Sequence, residues 1–491
     1  MGLLVVITLV TKLLWGGVMG TTTNEAYYYL YTVHPDWSYF DHPPMTMWVA
    51  KAGLFLCNGW VHPFSIRLGF ALLFIGSTWV MFQLSSRWYG PWAGVYAALL
   101  LNLSGFYAFA GGFVSPDGPL LFFSLLTMWA LTEALGADPR RLRPWVYVGF
   151  AFAGALLSKY HAVFLPAGVA FYVVVTPSAR HLLRRPGPYL AVGIGLLGFL
   201  PVIAWNADHD WASFAFQGGR AAEGGFRFGQ LAGAVFGPAL CLLPWVWGLL
   251  VTLLVTRCRR FGSTIGMERV AICLAIVPLA FFTGIGSFKW IMIHWPLIGF
   301  LPLFPMGGAK LAQWATANAR RSRRNLVLMA APLLAGAVIV IGHVESGLIE
   351  TPVSDGFSES RGWDSVATDL MGRALVDDPS SFVFTSDWRD SARLGFALRN
   401  RTPVLCYSDD ARGFAFWSTP AQWLGKTGFL VSVKDDPMEV PLFQLYFTTV
   451  ELVAEFPMRC GATAMKVVRV FRCVRQHTPF PFASPILGSF R

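Results

Sequence analysis

The sequence predicts an α-helical polytopic membrane protein of about eleven spans, with a soluble α/β domain at its C-terminal end. Three observations lead there. Hydrophobic residues make up 55% of the 491 and charged residues only 13%, with a mean hydropathy of +0.52, too apolar and too charge-poor for a water-soluble chain. Apolar stretches near the ~20 residues a spanning helix needs recur from Met1 to about Val344. Beyond that point Asp, Arg and Ser are scattered as in an ordinary soluble domain. The expected division is therefore 1–344 in the membrane and 345–491 outside it.

The spans are read at Met1 to Met19, His62 to Leu84, Pro91 to Ala108, Pro119 to Leu135, Trp145 to Leu157 and Ala162 to Thr176, then at Tyr189 to Trp205, Leu231 to Val255, Val270 to Gly286, Ile291 to Met306 and Leu326 to His343. The first lacks a basic n-region and a small-residue cleavage site, so it reads as a span and not as a removed signal. Alternate connecting segments gather Arg87, Arg140, Arg141, Arg143, Arg180, Arg184, Arg185, Arg257, Arg259, Arg260, Arg269, Lys310, Arg320, Arg321, Arg323 and Arg324. These sixteen basic residues face only Asp138 and Glu268, a surplus of fourteen that exceeds the whole net charge of +11. The positive-inside rule makes those segments cytoplasmic, so the basic balance needs no nucleic-acid partner. An odd number of spans places the C-terminal domain on the outer, periplasmic side.

In that domain GWDSVATDLMGRALVDD and RDSARLGFALRN have helical patterning, while SFVFTS, PVLCYS, GFLVSV and VVRVFRCV read as strands. The seven cysteines form no CxxC pair and no His-Cys spacing typical of zinc; Cys460 and Cys473 are a candidate pair in an oxidising compartment.

Nearly every residue able to do chemistry falls in the opposite set of loops. The first, TTTNEAYYYLYTVHPDWSYFDHPPMTMW, packs Glu25, Asp36, Asp41, His34 and His42 among tyrosines. Thr23 or Asn24 can cap a helix whose first turn holds Glu25, so Glu25 reads either as a functional acid or as a complement to the helix dipole. Pro43 and Pro44 stop the chain and fix Asp41 and His42 in a turn. SPDG sets Asp117 before an apolar run, where a helix cap is the plain alternative. Lys159 and His161 lie between apolar stretches, where an unpaired lysine costs roughly 2.5–3.5 kcal/mol at membrane depth and so implies an anionic partner or a snorkelling side chain. Lys289 and His294 repeat the pattern in SFKWIMIHWP, and Arg220 and Arg227 follow WNADHDWASFAFQ. Carboxylates at Glu25, Asp41 and Asp117 with cations at Lys159, Arg220 and Lys289 suit phosphate binding combined with acid/base work. GxSxG, HExxH and P-loop patterns are absent from the sequence.

The ordered motifs NEAYYYLY, YFDHPP, SPDGPLLFF, LLSKYHA, RRPGPYLA and WNADHDWASFAFQ resemble those of the GT-C glycosyltransferases, in the bacterial branch related to protein O-mannosyltransferases and to the lipid A aminoarabinose transferase. The resemblance continues more weakly through HWPLIGFLPL and DWRDSARLGFAL. It implies a GT-C-like membrane domain and an inverting transfer of a monosaccharide from a polyprenyl-phosphate donor. The acceptor would be a lipid, glycan or protein at the periplasmic face of a bacterial inner membrane. Carried over by position, it points to Asn24, Glu25, Asp41, His42, Asp117 and Lys159. Tyr27, Tyr160, His161, Arg220, Lys289 and His294 complete the expected binding set. Some relatives use a divalent metal, for which Asp41 and His42 would be the candidates. Two departures matter. Many relatives carry Asp where this chain has Asn24, which passes the duty of base to Glu25 or Asp117, or to an acceptor acidic enough to need none. His42 stands where the aminoarabinose transferase has Lys. A transporter or flippase of glycolipid precursors is the alternative from another class; inverted repeats and ionisable groups at span centres would favour it.

Overall fold

The computed structural model describes residues 1–138, 140–219, 225–346, 361–376, 378, 380–433, 440–460 and 463–481. Its helical part runs α1 (Gly2–Val18), α2 (Thr23–Val33), α3 (Met45–Leu56), α4 (Pro63–Tyr89), α5 (Pro91–Asn102), α6 (Gly105–Ala110), α7 (Asp117–Gly136), α8 (Arg143–Ser158), α9 (Phe164–Val175) and α10 (Pro186–Asp208). It continues through α11 (Ala212–Gly219), α12 (Phe228–Leu242), α13 (Pro244–Arg259), α14 (Gly266–Gly286), α15 (Leu297–Phe300), α16 (Phe304–Ala317) and α17 (Ala319–Ser346). The chain is a multi-pass membrane protein. Among the described residues four helices, α4, α7, α10 and α14, are long and apolar enough to cross a membrane by themselves, and the number rises to seven if three bent pairs each count as one span.

Most of the expected spans fall on helix, and several are interrupted. Leu231 to Val255 is two helices, α12 and α13, at 119° to one another. Leu243 turns that corner at φ +74° immediately before Pro244, a conformation a leucine rarely adopts. Ile291 to Met306 dissolves into a turn, α15, a 3-10 segment and the start of α16. The helix that the sequence places at Glu25 is α2, whereas α3, later in the first loop, was not expected as a separate element. Thr22, and neither Thr23 nor Asn24, caps α2: its hydroxyl accepts from the Glu25 N–H while Glu25 accepts from the Thr22 N–H, a full capping box. Glycines let α3 meet α4 at backbone distance. A Cβ on Gly53 would stand 2.2 Å from the Ser65 carbonyl oxygen, and one on Gly69 2.3 Å from that of Val49.

The main helical core gathers Phe74, Leu125, Met128, Leu250, Ile272 and Phe304 from five helices. Opposite ends of the bundle differ in character. At the ends of α4 and α7 remote from Asp117, Arg87 pairs with Glu133 at 2.8 Å. Around the start of α7 lie instead the residues of the first loop, of the α8–α9 junction and of the turn after α14.

The C-terminal part contains α18 (Trp363–Gly372), α19 (Trp388–Ala397) and a five-stranded sheet of β1 (Phe382–Thr385), β2 (Val404–Cys406), β3 (Gly428–Ser432), β4 (Phe447–Cys460) and β5 (Thr463–Gln476). The strand order is β2-β1-β3-β5-β4. β1 runs parallel to β2 and β3, with Val383 opposite Val404 and Phe429, while β5 is antiparallel to β3 and β4. β4 was not read from the sequence. Cys460 and Cys473 are both free. Cys473 pairs with Val450 and Gly428 in mid-sheet, whereas Cys460 faces Thr463 at the far end of the β4–β5 hairpin; ten residues of strand at ~3.3 Å each keep them apart.

The sheet part docks on α2. Tyr27, Tyr28, Leu30 and Tyr31 form one apolar cluster with Trp388, Ala392, Cys406 and Phe414, and Arg393 of α19 donates twice to the Thr23 hydroxyl at 2.6 and 2.9 Å.

Candidate active site

Asp117 sits on the turn that opens α7, where Ser115 Oγ accepts from its backbone N–H and donates to its Oδ2, both at 3.2 Å. Lys159 is the residue at which α8 ends, in extended backbone. That break turns its side chain back across the bundle, and its Nζ donates to Asp117 Oδ1 at 2.8 Å and Oδ2 at 3.0 Å. Lysine and carboxylate therefore share burial and neutralise one another, which makes a lysine at this depth tolerable. His294 stacks on Phe106 and His161 packs against Phe282 and Trp295. Both histidines line a small recess with Asp117 and Lys159.

The same four residues form one wall of a cavity of about 850 Å³. Asn24, His42, Tyr160 and Lys289 line it as well, so residues from four separate loops meet there. Gln217, Arg227 and Trp295 join them from the helical part, and Trp388, Arg389 and Arg412 come from the C-terminal part. Five side chains of the lining are cationic, and Asp117 is its one carboxylate among the described residues. Arg220 lies outside the described residues.

Glu25, Asp41 and Tyr27 stand behind the wall. Glu25 is 1% exposed and its two oxygens accept from Arg67 Nε at 2.7 Å and Nη2 at 2.6 Å, from the Thr22 N–H and from the Val114 N–H. Arg67 donates further to the carbonyls of Met19 and Gly20, each at 2.6 Å. A guanidinium fork with a planar carboxylate is the pairing best suited to such burial, and here it ties the end of α1, the start of α2, α4 and the loop before Asp117. Asp41 is held by Tyr27 Oη at 2.6 Å and by Arg412 Nη1 at 2.7 Å, while its backbone carbonyl accepts from Gln217. Tyr27 Oη in turn accepts from the Gly413 N–H. Burial works against the charge on Arg412, yet Asp41 and Asp410 beside it hold its pKa above the ordinary arginine value. A cation at Asp41 would have to displace that guanidinium, so the expected metal pair Asp41 and His42 does not fit a metal ligand set. Among the described residues no group of three or more His, Cys, Asp or Glu gathers for a metal ion.

Arg67, Trp388, Arg389 and Arg412 were not singled out from the sequence. Arg67 could have been, as a lone arginine inside an otherwise apolar span. Arg412 carried no such signal, since it sits in a soluble stretch 371 residues from its partner.

Residues 41–205 match the family described as dolichyl-phosphate-mannose-protein mannosyltransferase. A lipid A galacturonosyltransferase of Rhizobium johnstonii, RgtD, is 30% identical over 194 residues. That match covers 38% of this chain and 38% of RgtD, so the chain spans about two fifths of the relative's length. Among solved structures, ArnT from Cupriavidus metallidurans in its apo state superposes with a TM-score of 0.65 at 18% identity, covering 96% of this chain and 97% of ArnT. These matches make the chain similar to glycosyltransferases of the GT-C kind. ArnT bound to undecaprenyl phosphate superposes equally well, with a TM-score of 0.66 at 17% identity over the same shares. The likeness to the ArnT fold thus runs through nearly the whole chain, beyond the segment that the family match covers.

Proposed function

We propose that this GT-C chain is an inverting glycosyltransferase that moves a monosaccharide from a polyprenyl-phosphate donor to an acceptor at the periplasmic face of a bacterial inner membrane. The observation that carries the reading is the Asp117–Lys159 pair, flanked by His161 and His294, in the wall of a cationic cavity at one end of an apolar bundle. A lipid-linked donor suits this setting. Its chain would lie among the spans and its phosphate would reach the cationic end, and the undecaprenyl phosphate in the ArnT structure is a ligand of that kind.

In the proposed reaction the acceptor oxygen attacks the anomeric carbon from the face opposite the phosphate. The new C–O bond forms as the bond to the phosphate oxygen breaks, and polyprenyl phosphate leaves with the electron pair. Lys159, with Arg227 and Lys289 in the same cavity lining, stabilises the charge that grows on the leaving phosphate. Asp117 orients a hydroxyl acceptor and takes its proton; a phosphate acceptor would bring none to remove. Asn24 lines the cavity as a hydrogen-bonding group, and Glu25 and Asp41 act as positioning residues through Arg67 and Arg412.

An envelope glycolipid is the acceptor we favour, because RgtD is a lipid A galacturonosyltransferase; glycan and protein acceptors are the other two classes. Residues 1–344 would form the catalytic membrane domain and 345–491 the periplasmic domain, the latter lending Trp388, Arg389 and Arg412 to the cavity. We keep eleven spans as the proposed topology, with the interrupted helices pairing into crossings.

Purified protein with a polyprenyl-phosphate sugar should release polyprenyl phosphate only when acceptor is added. Lys159→Ala should impair donor use more than acceptor binding. Undiminished donor use by Lys159→Ala, or transfer from a nucleotide sugar with no lipid carrier, would overturn the reading.

A further inference from the structure

A second cavity lies far from the one just described, towards the end of α7 remote from Asp117. It encloses about 470 Å³, within the ~300–1,000 Å³ typical of small-molecule sites. Met128, Trp145, Leu165, Val173 and Ala191 line it from α7, α8, α9 and α10. Its lining is almost wholly apolar; among the described residues Arg180 is the one charged side chain in it, and no acid takes part. Arg180 belongs to a 3-10 segment, Pro177–Arg184, that turns 120° away from the preceding helix Tyr160–Val175. A segment bent so sharply at the end of an apolar helix runs along the bundle end and not onward through it. It buries Ala179 and Leu182 and leaves Arg180, His181 and Arg184 exposed, followed directly by Arg185. Tyr189, 60% exposed, stands at the same mouth, as aromatic residues do at headgroup level.

We propose that this groove holds an anionic phospholipid, one acyl chain inserted between α7, α8, α9 and α10 and its phosphate held at Arg180 with support from Arg184 and Arg185. Charge complementarity selects the occupant. A purely apolar groove would take any acyl chain, but Arg180 in the lining, with Arg184 and Arg185 close behind it in the chain and no acid in the lining among the described residues, favours a headgroup that carries net negative charge over a zwitterion. On the topology proposed above, this mouth opens to the inner leaflet, opposite the transferase cavity. The site stands whether or not the transferase reading holds.

The test reconstitutes the full chain in nanodiscs of phosphatidylcholine doped with phosphatidylglycerol, then counts the lipids retained on the protein by native mass spectrometry. Retention of phosphatidylglycerol over phosphatidylcholine should exceed their bulk ratio by at least about fivefold, the preference expected for a single arginine at an anionic headgroup. Arg180→Glu reverses the charge at an exposed position, and Ala170→Trp fills the groove from an exposed position on α9; each should abolish the preference. Equal retention of the two phospholipids, or a preference that survives both substitutions, would overturn the proposal. So would an Ala170→Trp protein that sheds polyprenyl phosphate while keeping phosphatidylglycerol, which would give the groove to the donor's tail.

Discussion

Lys159 and Asp117 were both legible as isolated residues, because an ionisable group next to apolar runs demands a partner, and the structure makes each the partner of the other at 2.8 Å. Glu25 was legible only as one of two alternatives. Its four acceptor contacts and 1% exposure make it a joint between α1, α2, α4 and the Ser115 loop, and the partner that decides this, Arg67, hides in an apolar span 42 residues away. The two carboxylates should therefore fail differently when neutralised. Asp117→Asn should lower turnover by at least ~10²-fold, the range for a lost general base or charge-positioning group. Glu25→Gln leaves the Arg67 guanidinium without its counter-charge, and breaking a buried pair costs roughly 3–5 kcal/mol. Thermal unfolding in detergent should register that loss, with activity falling in proportion to the folded fraction. Normal stability together with lost turnover in Glu25→Gln would return Glu25 to the chemistry. Asn24→Asp should be tolerated, since Asn24 is exposed to the cavity and adds nothing to the buried network.

Elements were easier to read than their interruptions. Long apolar runs and capping residues gave nearly every helix a sequence signal, whereas the corner at Leu243 depends on a single positive φ, which composition does not reveal. β4 was missed because FTTVELVAEFPMRC mixes Glu451, Glu455 and Pro457 into its alternation and draws its pairing from β5. The docking of α2 on the sheet part was also invisible, being made of side chains more than 350 positions apart. At the end of α2, His34 stacks flat on Trp417, ring centroids 4.8 Å apart. Burial lowers its pKa from 6.5 to about 4. The folded form therefore binds fewer protons than the unfolded form between those values, so this contact contributes its full stability above about pH 6.5 and loses it as pH falls towards 4. Protection factors from hydrogen exchange in α2 and around Trp417, corrected for the intrinsic rate at each pH, should fall as pH drops through that window in the wild type and become less pH-sensitive in His34→Gln. An unchanged exchange profile in His34→Gln would remove His34 as the cause.

At the scale of the whole molecule, the alternation of charged loops foretold that the chemistry-bearing segments would meet at one end of the bundle, and they do so around a single cavity. Which side of the membrane that end faces is open to direct test. Ser115→Cys and Asp208→Cys should react with an impermeant thiol reagent in intact cells with a permeabilised outer membrane, and Ser263→Cys should not; labelling of Ser263→Cys from outside would invert the topology. What the sequence could not foretell is that the C-terminal part helps to build the site. Arg412 lines the cavity, lies over the rings of Trp388 and Phe216 at 4.7 and 5.3 Å, and reaches Asp41 of the FDHPP turn. Because Asp41 also accepts from Tyr27, and its carbonyl from Gln217 of α11, removing either charge should loosen the first loop, α11 and the sheet part together. Asp41→Asn and Arg412→Gln test this as a double-mutant cycle. If the pair is one latch, the double variant will be no worse than the more damaged single, with a coupling of ~0.5–3 kcal/mol in thermal unfolding. The KM for acceptor should rise in all three variants while the KM for donor, set at Lys159, moves little. Additive losses would mean that the two residues act separately, and a larger effect on donor than on acceptor would place Asp41 with the donor phosphate after all.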